Sequence, residues 1–250
     1  MNTTTEDLPI PTGPLAAMRW PWRWEWVPHR AQGPDVRAAW TEHVVTLFED
    51  WTRKSLDNLR SALPAEERAE FPLTSDLVGR GAAGWLLERA DQLATGARLA
   101  WGAVFVDSTP RWAPVPVAVE VRRPAAEDSA YLMDWVGASG LDGDAREPVI
   151  DYVTTPVGDG VRVFALGRGP HGELYGRLNA AMRLDIPGDG DAAGFGVDVL
   201  LTTLVFELGL MALIGPGVEQ LMQLIAESAQ GPDDRSARLG FTAAAGGDQL

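Results

Sequence analysis

The clearest pattern along the chain is an alternation of apolar and polar positions in its second half. Between Glu173 and Asp185, apolar or small residues alternate with polar ones at nearly every step. Successive side chains of a strand point to opposite faces of a sheet, so this period predicts a strand with one buried and one exposed face. The segment Val197–Phe206 is apolar at most positions on both sides, which is typical of a strand near the middle of a sheet.

A hairpin is predicted directly before these two strands. Val149–Thr155 and Val161–Leu166 have strand patterns, and the turn residues Val157–Gly160 lie between them with an Asp-Gly step at the tip. Asp-Gly is favoured in tight hairpin turns, because both residues tolerate a positive φ. The glycine-rich segment Gly167–Gly172 would then connect the hairpin to the alternating strand.

A second pair of strands is predicted earlier in the chain. Leu99–Val106 is predicted as a strand, and Val115–Arg122, in which valines alternate with other residues, as the returning strand after a proline-containing loop. Pro116 has no N–H to donate to a neighbouring strand, so its position favours an edge strand.

Helical spacing dominates the first hundred residues. A long amphipathic helix is predicted from Pro34 to just before Pro64, and a second from Ser75 to Ala97. Together they predict an αα-hairpin whose apolar stripes must pack on another surface. Three glycines would weaken the second helix but would allow it to approach the first closely: Gly79, Gly81 and Gly84.

Two further helices complete the predicted fold. A short one begins near Glu127, and an amphipathic helix follows Gly215 and extends to about Ser228. The predicted fold class is therefore α+β: an antiparallel β-sheet with packed helices, including a long N-terminal αα-hairpin and a C-terminal amphipathic helix. We expect one domain over residues 19–229, with disordered termini at 1–18 and 230–250.

Charge and composition narrow the classes of partner. The net charge is −14 and 46% of the residues are hydrophobic, enough for a substantial core. An acidic protein is repelled by nucleic acid and by anionic membrane surfaces, so neither is an expected partner. The absence of cysteine excludes disulfides and thiol chemistry. Without a signal-peptide pattern or a long enough apolar run, we expect a cytoplasmic protein with no membrane insertion.

The residues that carry common chemistries form no recognisable motif. The three histidines have no metal-ligand spacing, and no Gly-x-Ser-x-Gly sequence exists. The glycines of Gly167–Gly172 resemble the spacing of a dinucleotide fingerprint, but that fingerprint requires a helix where a strand is predicted. We therefore expect no catalytic residue, no metal site and no cofactor.

Tryptophans are the most prominent candidates for binding a partner. Trp20, Trp22, Trp24 and Trp26 have a spacing of two, which places them on one face of a strand. Two interpretations are open: the indoles cover one end of the core, or they form an exposed ridge that binds a partner. Trp112, in a proline-flanked loop, is a further candidate, because loops lie on the surface and often carry function.

The order of the elements resembles a known group of proteins. The sequences at Val149–Val153, Pro156–Phe164, Leu200–Thr203 and Val218–Ala226 resemble uncharacterised actinobacterial proteins related to the LpqN-type lipoproteins and the PsbP-like α/β/α sandwich. This chain departs from them in the additional strand at Glu173–Asp185 and in having no cysteine to lipidate. The resemblance implies a non-catalytic adaptor or accessory module, in some members encoded near type VII secretion loci, and no functional residues can be carried over.

Two functions from different classes follow. The first is a non-catalytic soluble binding or accessory protein that engages a protein partner, secretion-associated if the resemblance holds. The alternative is a small-molecule-binding protein or enzyme with a pocket between the sheet and the αα-hairpin, using His171, Tyr175 and Arg177. A free edge strand that pairs across a twofold axis would also give a homodimer.

Overall fold

The computed structural model describes residues 22–103, 114–186 and 194–230. The predicted disordered termini at 1–18 and 230–250 lie outside these ranges, as do Trp20 and Trp112, except that residue 230 is described and ends the last helix. The strands are β1 (Arg23–Trp26), β2 (Ala97–Ala103), β3 (Val115–Arg122), β4 (Val149–Thr155), β5 (Gly158–Arg168), β6 (Leu174–Ile186) and β7 (Phe195–Val205). The α-helices are α1 (Pro34–Ala62), α2 (Ala65–Ala69), α3 (Ser75–Asp91), α4 (Tyr131–Val136) and α5 (Met211–Gln230).

The seven strands form one antiparallel sheet in the order β1-β2-β3-β7-β6-β5-β4. The predicted α+β class with an antiparallel sheet is confirmed. The alternating segment is strand β6, and the apolar segment after it is β7, which lies between β3 and β6 as its pattern predicts. Because β7 follows β6 in the chain yet also pairs with β3, it joins the two halves of the sheet.

Helix α5 covers the first face of the sheet. Its apolar stripe packs on the inward side chains of the central strands, and both sets are almost completely buried. The stripe consists of Ile214, Val218, Leu221, Met222, Ile225 and Ala226. At the β1 end of this face, Trp22 approaches the helix so closely that any side chain at Gly217 would overlap its ring. The main core therefore includes residues from both ends of the described chain.

The second face carries helices at both ends of the sheet. Helices α1 and α3 pack on β2, where Phe48 contacts Trp101 with their ring centroids 6.2 Å apart. Helix α4 packs on β5 and β6 through Leu132 and Val136, which contact Val163 and its neighbours. This arrangement divides the second face into two covered regions.

Buried polar groups hold α4 in place. Asp198 on β7 is fully buried, and its carboxylate accepts hydrogen bonds from the Tyr131 hydroxyl and from Arg183 Nε, the latter at 2.8 Å. The hydrogen bond to Asp198 raises the pKa of Arg183. At the other end of the helix, Arg177 and Asn179 both donate to the Val136 carbonyl, at 3.3 and 3.1 Å. Such donors satisfy a carbonyl that has no partner within the helix.

The predicted position of the turn between β4 and β5 is wrong. The β4–β5 turn consists of Pro156 and Val157, not the Asp-Gly step, because Gly158 already pairs with Thr155 and Gly160 with Val153. The fixed φ of proline suits the first of the two central positions of a tight turn, which Pro156 occupies here.

Pro116 does not mark an edge strand, because β3 lies inside the sheet between β2 and β7. The β3–β7 ladder begins only at Ala118, so the missing N–H of Pro116 costs no hydrogen bond to β7. The Pro116 carbonyl accepts a hydrogen bond from the Thr203 hydroxyl at 2.7 Å. A proline near the start of an internal strand is therefore accommodated by a staggered ladder.

One helical stretch in the described ranges, Leu208–Ala229, is long and apolar enough to cross a membrane by length and composition, with a mean hydropathy of 1.4. A core helix meets the same criterion. Here the stretch comprises α5 and the turn before it, and its buried side chains pack on the sheet. The sequence-based expectation of no membrane insertion stays a prediction.

A glycine pair on α3 allows a direct test of the α1–α3 contact. A Cβ at Gly79 would lie 2.9 Å from Val45 Cα, whereas a Cβ at Gly81 would meet nothing within 4 Å. We expect Gly79→Ala to destabilise the protein by roughly 1–3 kcal/mol through overpacking. We expect Gly81→Ala to stabilise it by up to about 1 kcal/mol through helix propensity. Urea unfolding of both variants measures the difference, and equal effects would contradict the packing.

A second prediction concerns the ion pair between Arg37, near the start of α1, and Asp91, at the end of α3. Both Asp91 oxygens accept hydrogen bonds from Arg37, at 2.8 and 2.9 Å, and this contact lowers the pKa of Asp91. A depressed folded-state pKa stabilises the fold above the unfolded-state value of about 3.9, and this stabilisation disappears as the pH falls through the folded-state value.

We therefore expect Asp91→Asn to lower the free energy of unfolding by up to about 1 kcal/mol at pH 7. The difference from wild type should vanish in acid, below the folded-state pKa of Asp91. Urea titrations at pH 7 and at several acidic pH values check this, and a difference that persists unchanged into acid would contradict it.

Candidate functional site

Between the two covered regions of the second face lies an open groove, which we call the β3–β7 groove. Strands β3 and β7 form its floor, and α3 forms one wall. Its volume is about 550 Å³. The lining includes Trp85, Arg89, Pro116, Ala118, Leu204 and Phe206.

The floor of the groove is built from small side chains. Ala118 pairs with Thr202 across the β3–β7 ladder, and Pro116 precedes this pair on β3. These residues alternate with Val117 and the other inward side chains that pack under α5, so they face away from the main core. Small floor residues leave room for another chain to approach the sheet closely.

Large apolar side chains surround this floor and are exposed. Trp85 is 47% exposed, Leu204 is 44% exposed and Phe206 is 72% exposed. Phe206 also contacts Tyr175, with their ring centroids 6.3 Å apart. Exposed apolar side chains grouped around one concavity are typical of a binding surface.

The tryptophans of β1 lie on the other face of the sheet. Trp22 is 6% exposed and stacks on Trp24, with their ring centroids 5.3 Å apart. Trp24 donates its indole N–H to the Gly217 carbonyl at 3.0 Å, and Trp26 lies under the guanidinium of Arg98 at 4.9 Å. This geometry fits the interpretation in which the indoles cover one end of the core. Partner binding by the half-buried Trp24 and Trp26 stays a prediction.

The three residues of the alternative function have separate environments. His171 is exposed in the β5–β6 connection, where its backbone N–H donates to Glu173 at 3.0 Å. Tyr175 is half-buried, with its ring against Gly167. Arg177 is buried and donates two hydrogen bonds to Asp144, at 3.0 and 2.8 Å. The polar atoms of Arg177 thus already have partners within the fold.

A second concavity lies on the first face, between β4, β5 and the start of α5, with a volume of about 660 Å³. Arg162 borders it and donates to the Gly215 carbonyl at 2.6 Å and to Glu219 at 2.9 Å. Its Nε is buried with no hydrogen-bond partner in the structure. Because the guanidinium is largely occupied by these contacts, it serves first to attach α5 to the sheet.

Sequence reasoning missed the residues of the groove. Trp85 lies in the second predicted helix, whose apolar residues were expected to pack on another surface, yet almost half of its surface is exposed. Leu204 and Phe206 are the last alternate positions of the apolar segment around β7. A central strand that is apolar on both sides needs cover on both faces. The apolar residues at the end of this segment, for which the sequence offered no covering element, could therefore have indicated the groove.

Comparisons of the chain with protein-family models, with curated proteins and with solved structures found no match. The resemblance to the LpqN-type and PsbP-like proteins stays a prediction. In the described residues, no three His, Cys, Asp or Glu side chains form a group that could hold a metal ion.

The buried pair of Arg177 and Asp144 gives a test of the role of Arg177. Asp144→Ala would leave the guanidinium of Arg177 buried without its counter-charge, so we expect a loss of roughly 3–5 kcal/mol in the free energy of unfolding. The exposed His171→Ala variant is the control, with an expected change within about 0.5 kcal/mol. Chemical denaturation measures both. An Asp144→Ala variant as stable as wild type would show that Arg177 is not fixed by this pair and is available to a ligand.

Proposed function

We propose that the protein is a non-catalytic binding protein that engages a helical segment of a protein partner in the β3–β7 groove. One observation carries the proposal. On the second face, residues 202–205 of β7 and residues 115–118 of β3 are left open beside α3, and the side chains that border this opening are large, apolar and exposed. Internal strands have no free edge, so the groove cannot add a strand of the partner to the sheet. A partner must instead lie across the face.

The width of the opening supports a helix as the bound element. Neighbouring strands are about 4.8 Å apart, so two strands and their margins span roughly 10 Å. An α-helix with its side chains has a diameter of about 10–12 Å. Helices already cover the same face on either side, over β2 and over β5 and β6, so a partner helix would complete a layer that the protein begins itself.

The side chains of the groove match an amphipathic helix. Ala118 and Thr202 permit close contact with the floor, while Trp85 and Phe206 offer large surfaces to apolar positions of the partner. Tryptophan is among the residues that most often dominate the binding energy of an interface. Helices that bind in grooves present apolar residues at i, i+3, i+4 and i+7.

Charge favours a partner with a basic polar face. The net charge of the chain is −14, which attracts cationic partners and speeds their encounter. Glu207 lies at the end of the groove beyond β7. Arg89 on α3 is a cation at the opposite wall, so acidic residues of the partner would be tolerated on that side only.

A second candidate function uses the same concavity. A volume of about 550 Å³ lies within the range of small-molecule pockets, roughly 300–1,000 Å³. A small apolar ligand between the sheet and α3 would correspond to the alternative function. The high exposure of Phe206 favours a protein partner, because small-molecule pockets enclose most of the surface of their ligand, whereas Phe206 lies at an open margin of the groove.

The test uses a phage-displayed library of 20-residue peptides selected on the wild-type protein. We expect enrichment of sequences with apolar residues at helical spacing and a basic opposite face, and a gain of helical circular dichroism on binding. Phe206→Ser should weaken binding about tenfold or more, because it removes an exposed apolar anchor. Leu59→Ser is the matched control, since Leu59 is 56% exposed on α1 and lies outside the groove lining.

Peptides that bind without becoming helical, or that bind wild type and Phe206→Ser equally, would contradict the proposal. A ligand-observed NMR screen of small-molecule fragments against the same variants separates the two candidates. Fragments that need Phe206, in the absence of peptides that need it, would favour the small-molecule function.

A further inference from the structure

Strand β4 is an edge strand without the usual protection. In the described ranges no strand pairs with its outer side. Tyr152 is 76% exposed, Val149 is 52% exposed and Ile150 is 37% exposed. The strand contains one charged residue, Asp151, and no lysine, proline or glycine. Edge strands normally carry such residues to prevent pairing with another chain.

The opposite edge of the sheet is different. Strand β1 has four residues, and it carries the charged pair Arg23 and Glu25 at 2.8 Å. Short length and charge are two of the ways in which proteins protect an edge. The contrast identifies β4 as the edge that is suited to pairing.

The backbone groups that β4 presents outward can be deduced from its neighbour. Arg168 N–H donates to the Gly143 carbonyl at 3.0 Å, and Ala145 N–H donates to the Leu166 carbonyl at 2.6 Å. Even-numbered residues of β5 therefore direct their backbone groups toward the β4 side, since residues two apart in a strand point the same way.

The partners of these β5 residues on β4 are the odd-numbered ones, among them Asp151 opposite Arg162 and Val153 opposite Gly160. The even-numbered residues Ile150, Tyr152 and Thr154 consequently turn their backbone groups to the outer edge. The Thr154 carbonyl agrees with this assignment, because it accepts a hydrogen bond from the Gln223 side chain of α5 at 2.8 Å.

We propose that β4 pairs with β4 of a second copy of this chain, antiparallel and across a twofold axis at Tyr152. Tyr152 is the midpoint of Val149–Thr155, so this register overlaps the two strands over their full length. Tyr152 then faces Tyr152 of the second copy, and Ile150 faces Thr154 of the second copy. All of these positions direct their backbone groups to the outer edge, so each pair can exchange backbone hydrogen bonds. The Thr154 carbonyl, which also accepts from Gln223, has a second lone pair for this bond.

The sequence of β4 is complementary to itself in this register. Asp151 falls opposite Val153 of the second copy, whereas a twofold axis at Asp151 would place two carboxylates face to face. Pro148 and Pro156 flank the strand at equal distances from Tyr152 and would end the ladder at both sides. These features point to a second copy rather than to a strand of another protein. The pairing does not depend on the β3–β7 groove, which lies on internal strands.

Sedimentation over a range of concentrations tests the assembly. We expect a concentration-dependent dimer of the wild-type protein and a monomer for Tyr152→Lys, which places two like charges opposite each other. Leu59→Lys adds the same charge at a similarly exposed site on α1 and should leave the dimer unchanged. A wild-type protein that remains monomeric up to about 100 µM, or a dimer that survives Tyr152→Lys, would overturn the proposal.

Single cysteines test the register, because the chain has no cysteine of its own. Facing residues that exchange hydrogen bonds lie about 5.5 Å apart at Cα, within the range of disulfides. Tyr152→Cys should form a disulfide-linked dimer at least about tenfold faster than Leu59→Cys, since pairing raises the effective concentration.

Mixing extends this test to the neighbouring positions. Ile150→Cys and Thr154→Cys should each cross-link poorly alone and readily when mixed. Cross-linking of Ile150→Cys with itself in preference to Thr154→Cys would overturn the register.

Discussion

Strand β7 is the constraint on which the rest of the structure depends. It joins the two halves of the sheet, and most of its residues on both faces are apolar, so burial of both faces is favourable. On the first face α5 provides this burial with a continuous apolar stripe. On the second face the protein supplies only part of the cover, because α4 reaches β7 at Asp198 and Leu200 but leaves Leu204 exposed. The uncovered end of this central strand therefore presents exposed apolar side chains, Leu204 and, just beyond the strand, Phe206.

The two ends of the second face are held by different kinds of interaction. Helices α1 and α3 rely on apolar contact, with the ring of Phe48 against Trp101 and the glycine at position 79 against the α1 backbone. The short helix α4 has only six residues and relies on Asp198 and Arg177, whose charges are buried and paired. A buried ion pair contributes little net stability, but breaking it leaves an unpaired buried charge. Conformations that separate the two side chains are therefore strongly disfavoured. The helices on the second face are thus held by packing at one end of the sheet and by polar anchoring at the other.

The local sequence pattern predicted the helices and strands better than it predicted which strands lie next to each other in the sheet. The alternation in β6, the apolar run in β7 and the antiparallel sheet were all readable, because each depends on residues close together in the sequence. The prediction of Asp-Gly at the hairpin tip was wrong, because the neighbouring residues Pro156 and Val157 are also suited to a turn and form it. The edge position inferred from Pro116 was also wrong, because a staggered ladder hides the missing N–H. The groove itself depends on the pairing of β3 with β7, and no local pattern encodes which distant strand lies next to which.

The hydrogen bond from Trp24 to the Gly217 carbonyl connects residues 193 positions apart in the chain. The first strand thus completes its environment only when the last helix is in place. During synthesis on the ribosome, the indoles of β1 are made before α5 and stay without these final neighbours until position 217 has been reached. Contacts of such long sequence separation slow folding, because the ends must be brought together before any gain is realised. The tryptophan-rich segment would therefore lack its apolar cover while the intervening residues are being added.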